Sequence, residues 1–517
     1  MYIGDYLGRR EIYSPDKLAI IDAGKQPELR LTWREWNRRV NRLANWMRDV
    51  ADVGKGDRVA ILARDGIEHL DLLYACGKLG AISTPLNWRL HPRELAGLIE
   101  LTTPKALLFG DDFRDRVAQV QLTIQRLNHS PINHYLHLDG PGLPFSQDYQ
   151  STLDQSTDQP VTCETLTEED IACLLFTGGT TGLPKGAQIS HRQICWNVLN
   201  TVIHDLTHDD IYLCVFPLFH AGGLFAYMSS QVVFGNTSVL TRQFDPAQVL
   251  ELIEREGVTV FAAVPTMYQM LTTAPNWATA DMSSLRFCTS GGAPLPVPLV
   301  EQYTREKGIR FKQGFGMTEY GPGLFALPPE DAIRKAGSIG RPNFFIDVRV
   351  VDDDNRPLGP NEVGELLLKG PSGSSGYWQN PQASAAVIDD DGWFHTGDLV
   401  YHDDEWYFYV VDRKKDMFIS GGENVYPAEI EQVLYRHPAV AMCAVIGVPD
   451  PRWGEVGLAC VVLKPGMTAT EDELIAHLQA NLARYKVPKD VEFLPELPIS
   501  AAGKILKREL REQYAQS

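Results

Sequence analysis

The sequence has no C-x-x-C pair, no basic excess and no apolar run long enough to cross a bilayer. Its eight cysteines, at positions 76, 163, 173, 195, 214, 288, 443 and 460, are scattered. Neither a disulfide framework nor a zinc ribbon is expected, and reduced thiols in a cytoplasm fit best. Lys and Arg number 48 against 66 Asp and Glu, a formal net charge of -18. That balance argues against nucleic acid as a partner, because backbone binding needs a basic face, and any anionic ligand must be met by local cations. No window approaches about 18 uninterrupted apolar residues, so no transmembrane segment is expected. The opening MYIGDYLGRREIYSPDK places no apolar stretch behind its charges, so export by a signal peptide is not expected either. Composition leaves peripheral membrane contact open; for oligomeric state, a homodimer is the ordinary prior.

What the chain does have is alternation. Its 517 residues, 44% of them hydrophobic, suffice for about three domains of ordinary size. Short apolar runs at Arg58 to Leu62, Ile211 to Phe216, Val258 to Val264 and Leu285 to Thr289 alternate with amphipathic stretches. This predicts an α/β fold with largely buried, parallel-rich sheets flanked by helices. Between residues 343 and 412 the texture changes to short strands with turns such as DDDN and GPNEVGE, a β-rich subdomain. DRKKD then interrupts a strand-like WYFYVV, and an α+β pattern follows: a helix over Pro427 to Tyr435, strands over Val440 to Ile446 and Leu458 to Leu463, and a helix opened by a Thr470–Glu473 capping box. The expected division is a large domain at 1–411, a hinge at 412–416 and a small C-terminal domain at 417–517. DRKKD would equally suit an exposed turn.

The most telling stretch is TGGTTGLPKG at 177–186. Glycine lets backbone N–H groups approach a phosphate, threonine adds hydroxyl donors and Lys185 adds a charge. Gly186 follows Lys185 where a Walker loop needs Ser or Thr, so this is a different phosphate loop. A flexible linker is the plainer alternative, and the flanks argue against it. An apolar run from Ile171 to Phe176 precedes the loop, and Ser190 with Gln193 forms an S-x-x-Q capping box ahead of Ile194, Val198 and Leu199. Strand, tight loop and helix in succession are expected.

Further motifs follow in order: FPLFHAGG at 216, SGGAP at 290, QGFGMTE at 313, GWFHTGD at 392, DRKKDMFISGGENVYPAEIE at 412 and PISAAGKILKREL at 498. The series resembles the adenylate-forming superfamily of acyl-CoA synthetases, aryl-CoA ligases, luciferases and adenylation domains, from roughly Leu31 to Leu510. The resemblance implies ATP, Mg2+ and CoA, a small-molecule carboxylic acid and a mobile C-terminal domain. The implied chemistry has two steps: the carboxylate attacks the α-phosphate of ATP, giving acyl-adenylate and pyrophosphate, and a thiol then displaces AMP. A free carboxylate is a poor acylating agent, whereas AMP leaves easily. Attack on phosphorus gathers negative charge that cations and backbone donors must meet.

The resemblance also assigns positions. Thr177, Gly178, Gly179, Thr180, Thr181, Gly182 and Lys185 would hold the β and γ phosphates. Gly292 and Ala293 would lie against the adenine, with Phe315 stacked on it within Gly314, Phe315, Gly316 and Met317. Thr318 would contact the α-phosphate and Glu319 would bind Mg2+, a hard cation that takes oxygen ligands. Asp398 would accept from the ribose hydroxyls with Arg413 beside it. Lys504 would bridge acid and α-phosphate during adenylation. Rotation about Lys415 would then exchange it for the Gly421, Gly422, Glu423 and Asn424 loop in the thiol's tunnel. Without the other motifs, Glu319 would pass for a solvated loop carboxylate, Asp398 for a turn cap and Lys504 for one more surface lysine. Three positions depart from the family pattern: Gly178 stands for a common serine, Phe315 for tyrosine and Ala502 for threonine.

For the acid, His220 resembles the family residue beside the carboxylate, though a core histidine is the plain alternative. Ala221, Gly222 and Gly223 leave room, and Phe225, Tyr227, Met228, Met267 and Tyr268 are either an apolar wall or ordinary core. The aspartate with which amino-acid-activating relatives hold an ammonium group is absent. The texture is similar to bacterial fatty-acyl-CoA synthetases and to feruloyl- or coumaroyl-CoA ligases. A medium- or long-chain fatty acid is the leading expectation and a hydroxycinnamate the alternative. An adenylate-only enzyme and a non-catalytic acyl-nucleotide binder rank below both. His204 and His208, at i,i+4, lack a zincin's glutamate and a third ligand, and are read as surface residues.

Overall fold

The computed structural model describes residues 2–126, 132–177, 184–202, 205–293, 295–499 and 505–514. Strands buried on both faces read as unbroken apolar runs, as Ala106–Phe109 and Val260–Ala263 do, and both are buried at every position. They belong to two large sheets. A seven-stranded sheet runs Gln147–Asp148, His134–His137, Ala106–Phe109, Arg58–Leu62, Ile82–Pro85, Ile171–Thr177, Lys185–Ser190, parallel except for the last pair. A thirteen-stranded sheet has a parallel half in the order Phe311–Met317, Phe287–Ser290, Val260–Ala263, Ile211–Cys214, Thr237–Leu240, Leu18–Asp22. One core cluster joins the two sheets: Val59 and Ile61 of the first and Tyr212, Cys214 and Val260 of the second pack around the wholly buried helix Ile67–Leu79.

The β-rich subdomain is present but is continuous with the main sheet. From Phe311–Met317 the order passes antiparallel through Gly321–Leu327 and Ser338–Pro342 to Phe408–Arg413, Phe394–His402, Gly364–Lys369 and Asp347–Val351. A third sheet joins Glu423–Val425, Phe418–Ser420, Gly454–Leu463 and Val440–Asp450, with Asp490–Phe493 parallel to Gly454–Leu463. Its own core, with Ile430 and Leu434 from the helix Pro427–Leu434 and Leu474 and Leu478 from Glu471–Gln479, is separate from the other clusters. The Thr470–Glu473 capping box forms in full.

One local expectation is overturned. The glycine-threonine segment leads to a second strand rather than a helix: Lys185–Ser190 returns antiparallel to Ile171–Thr177, with Thr177 opposite Lys185. The helix His191–Val202 begins only after this second strand. The capping box is half formed, since Ser190 Oγ accepts the Gln193 N–H at 3.1 Å while the Gln193 side chain points elsewhere. No helix among the described residues is long and apolar enough to cross a membrane, and every cysteine is a free thiol.

Candidate active site

Loops at the carboxyl ends of parallel strands are where an open α/β sheet places its ligand groups. Three such loops lie close along one edge of the thirteen-stranded sheet: the turn carrying His220 after Ile211–Cys214, Gly291 to Ala293 after Phe287–Ser290, and Thr318 with Glu319 after Phe311–Met317. His220 is half-buried, its ring 4.8 Å from that of Phe219. Its N–H donates to Pro217 O, and its own carbonyl accepts from Gly223 and Leu224, all at 3.1 Å. The Leu218 N–H donates to Asp65 Oδ1 at 2.7 Å, so a carboxylate from the other large sheet pins this turn. Burial raises the Asp65 pKa to about 7. A π-helical turn, Gly222–Ala226, follows, and a Cβ on Gly223 would strike the Pro217 carbonyl.

Gly292 and Ala293 are exposed at the end of their strand. Gly314, Phe315, Gly316 and Met317 on the neighbouring strand and Thr318 just after it are half-buried, and the Phe315 ring meets Phe325 edge-on at 5.6 Å. Of the proposed apolar wall, Phe225, Tyr227 and Met228 pack in the core between the sheets, and Tyr268 packs on the other face with Phe261 and Phe311. Only Met267 is partly exposed.

Glu319 is buried and gripped on all sides. Tyr377 Oη donates to its Oε1 at 2.8 Å, Ser374 N–H donates to its carbonyl at 2.8 Å, and Gln193 Nε2 donates to the carbonyls of Thr318 at 3.3 Å and Glu319 at 3.2 Å. The segment bearing Tyr377 runs beside Lys185–Ser190, with Trp378 N–H to Gly186 O at 2.7 Å and Gln188 N–H to Gly376 O at 3.0 Å. This brings the Lys185 ammonium to 5.2 Å from the Tyr377 ring centre. Burial and the neighbouring Glu319 charge raise the Tyr377 pKa well above that of a free phenol. Thr177 Oγ1 donates to Lys185 O at 3.4 Å. Gly178, Gly179, Thr180, Thr181, Gly182 and Lys504 lie outside the described residues, as do Ala502 and His204.

Among the described residues no three His, Cys, Asp or Glu side chains gather to form a metal cage. Glu319 is a lone carboxylate, a donor set that suits a magnesium ion held mainly by phosphate oxygens and water.

Asp398 and Arg413 face each other across paired strands, with Arg413 Nε 2.9 Å from Asp398 Oδ1. The carboxylate is buried and the guanidinium largely exposed. Asp412, next in the chain, is buried and accepts the Arg413 N–H at 2.7 Å and the Ala428 N–H at 3.0 Å, and burial pushes its pKa up. Lys415 is exposed, and Asp416 pairs with Arg511 at 2.8 Å. Gly421, Gly422, Glu423 and Asn424 form the exposed tip of a hairpin in the third sheet, with φ +61° and +89° at the two glycines, as a two-residue I′ turn requires. Gly421 N–H donates to Trp453 O at 2.8 Å.

Residues 10–378 match the model of the AMP-binding enzyme and residues 429–504 that of the AMP-binding enzyme C-terminal domain. The chain belongs to the AMP-binding enzyme family. It is 43% identical to a feruloyl-CoA synthase of Amycolatopsis sp over 513 residues, 99% of each chain. It is 38% identical to an indoleacetate–CoA ligase of Aromatoleum aromaticum over 523 residues, covering 100% of this chain and 98% of that one. Against the long-chain-fatty-acid–CoA ligase FadD13 of Mycobacterium tuberculosis the identity is 35% over 521 residues, 99% of this chain and 98% of that one. ATP-bound MatB from Rhodopseudomonas palustris superimposes with a TM-score of 0.90 at 31% identity, covering 100% of this chain and 99% of that one. The protein is an adenylate-forming acyl-CoA synthetase, an AMP-forming acid–thiol ligase whose substrates are ATP, CoA and a carboxylic acid.

Within this AMP-binding enzyme, sequence reasoning passed over Tyr377 and Asp65 and read Gln193 only as part of a capping box. Tyr377 carried a signal, an aromatic pair straight after the Gly/Ser run SGSSG. Gln193 was noticed for the wrong partner. Asp65 carried none, because its contact lies 153 residues away.

Proposed function

We propose that this acyl-CoA synthetase activates an aromatic acid of the hydroxycinnamate type rather than the fatty acid that led the sequence expectations. The observation carrying this is the 43% identity to a feruloyl-CoA synthase, against 35% to a fatty-acid ligase. Met228 and Tyr268 support it, since both are spent in the core and neither is left to line a long aliphatic tunnel.

In this reading the acid's carboxylate oxygen attacks the α-phosphorus of ATP, forming a new P–O bond as the bond to pyrophosphate breaks. The CoA thiolate then attacks the acyl carbon and AMP departs with the oxygen. His220 stands beside the carboxylate, and the 177–185 segment with Lys185 grips the departing pyrophosphate. Gly292, Ala293 and Phe315 receive the adenine, and Asp398 with Arg413 the ribose. Glu319 would hold magnesium, which supplies positive charge to the phosphates. The chain divides at 412–416, and rotation about Lys415 exchanges Lys504 for the Gly421 to Asn424 tip.

The test is a panel of acids from acetate through palmitate to coumarate and ferulate, with ATP, Mg2+ and CoA, followed by AMP release. The expected result is the highest kcat/KM with ferulate or coumarate. Preference for palmitate would return the acid to the fatty class, ADP release would sink the mechanism, and AMP release independent of CoA would favour an adenylate-only enzyme.

A further inference from the structure

The strand Lys185–Ser190 runs straight into the helix His191–Val202, whose start is fixed where Ser190 Oγ accepts the Gln193 N–H at 3.1 Å. Two amide side chains on this helix, Gln193 and Asn197, stand one turn apart on the same face and are 2% and 1% exposed. The helix backbone is already paired with itself, so these buried amides spend their hydrogen bonds on other segments.

Gln193 holds the turn expected to carry magnesium: its Nε2 donates to the Thr318 carbonyl at 3.3 Å and to the Glu319 carbonyl at 3.2 Å. Asn197 holds the strand that leaves this turn, its Oδ1 accepting the Gly323 N–H at 3.1 Å. The same amide reaches the other way as well. Its Nδ2 donates at 2.6 Å to the carbonyl of Phe225, which lies in the π-helical turn that starts two residues after His220. Gly321 makes room for this bridge. It has φ +91°, and a Cβ there would lie 2.6 Å from Asn197 Oδ1, so a side chain would push the amide off its partners.

These bonds join loops that the sheet keeps apart. The strands Val260–Ala263 and Phe287–Ser290 lie between Ile211–Cys214, which precedes His220, and Phe311–Met317, which precedes Thr318. One helix thus ties the acid turn, the magnesium turn and the Lys185 strand to a single hydrogen-bonded rod.

We propose that Gln193 and Asn197 are positioning residues that fix the separation between the acid's carboxylate at the His220 turn and the phosphate groups met by Thr318 and Glu319, and so serve adenylation. This rests on the roles proposed above for His220, Thr318 and Glu319. Before adenylation the acid and ATP are separate molecules, and the protein alone holds the attacking oxygen against the α-phosphorus. A misplacement of about 1 Å costs about 100-fold. Once the acyl-adenylate exists, its new P–O bond fixes that separation covalently, and the thiol step no longer depends on the two amides.

The test follows both half-reactions in Asn197→Ala and Gln193→Leu, with the acid turned over fastest in the panel above. Single-turnover pyrophosphate release at saturating acid and ATP should fall by about 10- to 100-fold. The KM values for acid and ATP, and the rate of thioester formation from preformed acyl-adenylate, should stay within about 3-fold of native. If Asn197→Ala fails to fold, Gln193→Leu decides, because it leaves the Asn197 bonds in place. Equal losses in the two half-reactions, or native pyrophosphate release in the folded variants, overturn the inference, since a purely structural role gives one or the other. His220→Ala and Glu319→Gln are measured alongside. Slowed release in these two with native release in the amide variants overturns the inference and leaves the site roles standing, whereas native release in both overturns the site roles as well.

Discussion

The hydroxyl of Tyr377 donates to Oε1 of Glu319 at 2.8 Å, and the same ring lies under the Lys185 ammonium. One aromatic side chain thus spans two charges expected to serve the phosphates of ATP. A hydrogen bond to an ionised acceptor contributes about 1.5–3 kcal/mol, so its loss should be visible. Tyr377→Phe keeps the ring and removes the proton. The expected outcome is about a 10-fold lower rate of adenylation and a several-fold higher half-saturating Mg2+, with acid KM unchanged. AMP release measured across a magnesium titration checks it, and an unaltered titration would show that the hydroxyl does not orient Glu319.

Lys504→Ala should separate the two half-reactions. Removing a positioned cation from the developing charge costs about 100-fold or more, so adenylation should fall by that order. Thioester formation from preformed acyl-adenylate should stay within about 2-fold, because in the proposed cycle Lys504 serves only the first step. Equal losses in both would contradict a two-conformation cycle.

Gly421→Val should do the reverse. Gly421 has φ +61°, and a Cβ there would lie 2.8 Å from the Trp453 ring. A β-branched residue is strained in that region by about 1–2 kcal/mol, so the hairpin tip must shift. Pyrophosphate release in a single turnover should be preserved while thioester formation falls about 10-fold. Loss of pyrophosphate release would place this tip in the first step.

His69 makes acid stability a local question. It is buried, neither ring nitrogen has a hydrogen-bond partner among the described residues, and burial lowers its pKa to about 4. The unfolded chain therefore binds a proton near pH 6.5 that the folded chain refuses until about pH 4. Between those values the unfolded state holds more protons, so stability falls as pH drops and the loss is complete below the folded pKa. The total is about 3 kcal/mol at 1.36 kcal/mol per unit. His69→Leu should lose that much less stability than the native protein between pH 7 and pH 4, as read by urea unfolding. Parallel curves for the two proteins would contradict this.

The ordered motifs, the α/β alternation and the acidic balance were legible in the sequence, because each is a property of residue type and short spacing. The buried strands, the third sheet's capping box at Thr470 and the I′ turn glycines all report local backbone or local burial. The second strand was misread for the same reason: Lys185–Ser190 carries too little apolar pattern to declare itself a strand, and its partner was needed to show it. The acid stayed ambiguous because Phe225, Tyr227, Met228 and Tyr268 have the composition of either a wall or a core. Only the tertiary structure decided that Met228 and Tyr268 are core, that Tyr377 holds Glu319 across 58 residues and that Asp65 pins the His220 turn across 153. Such contacts are set by which strand ends share an edge, and that depends on sheet order, which leaves no periodic trace in the chain.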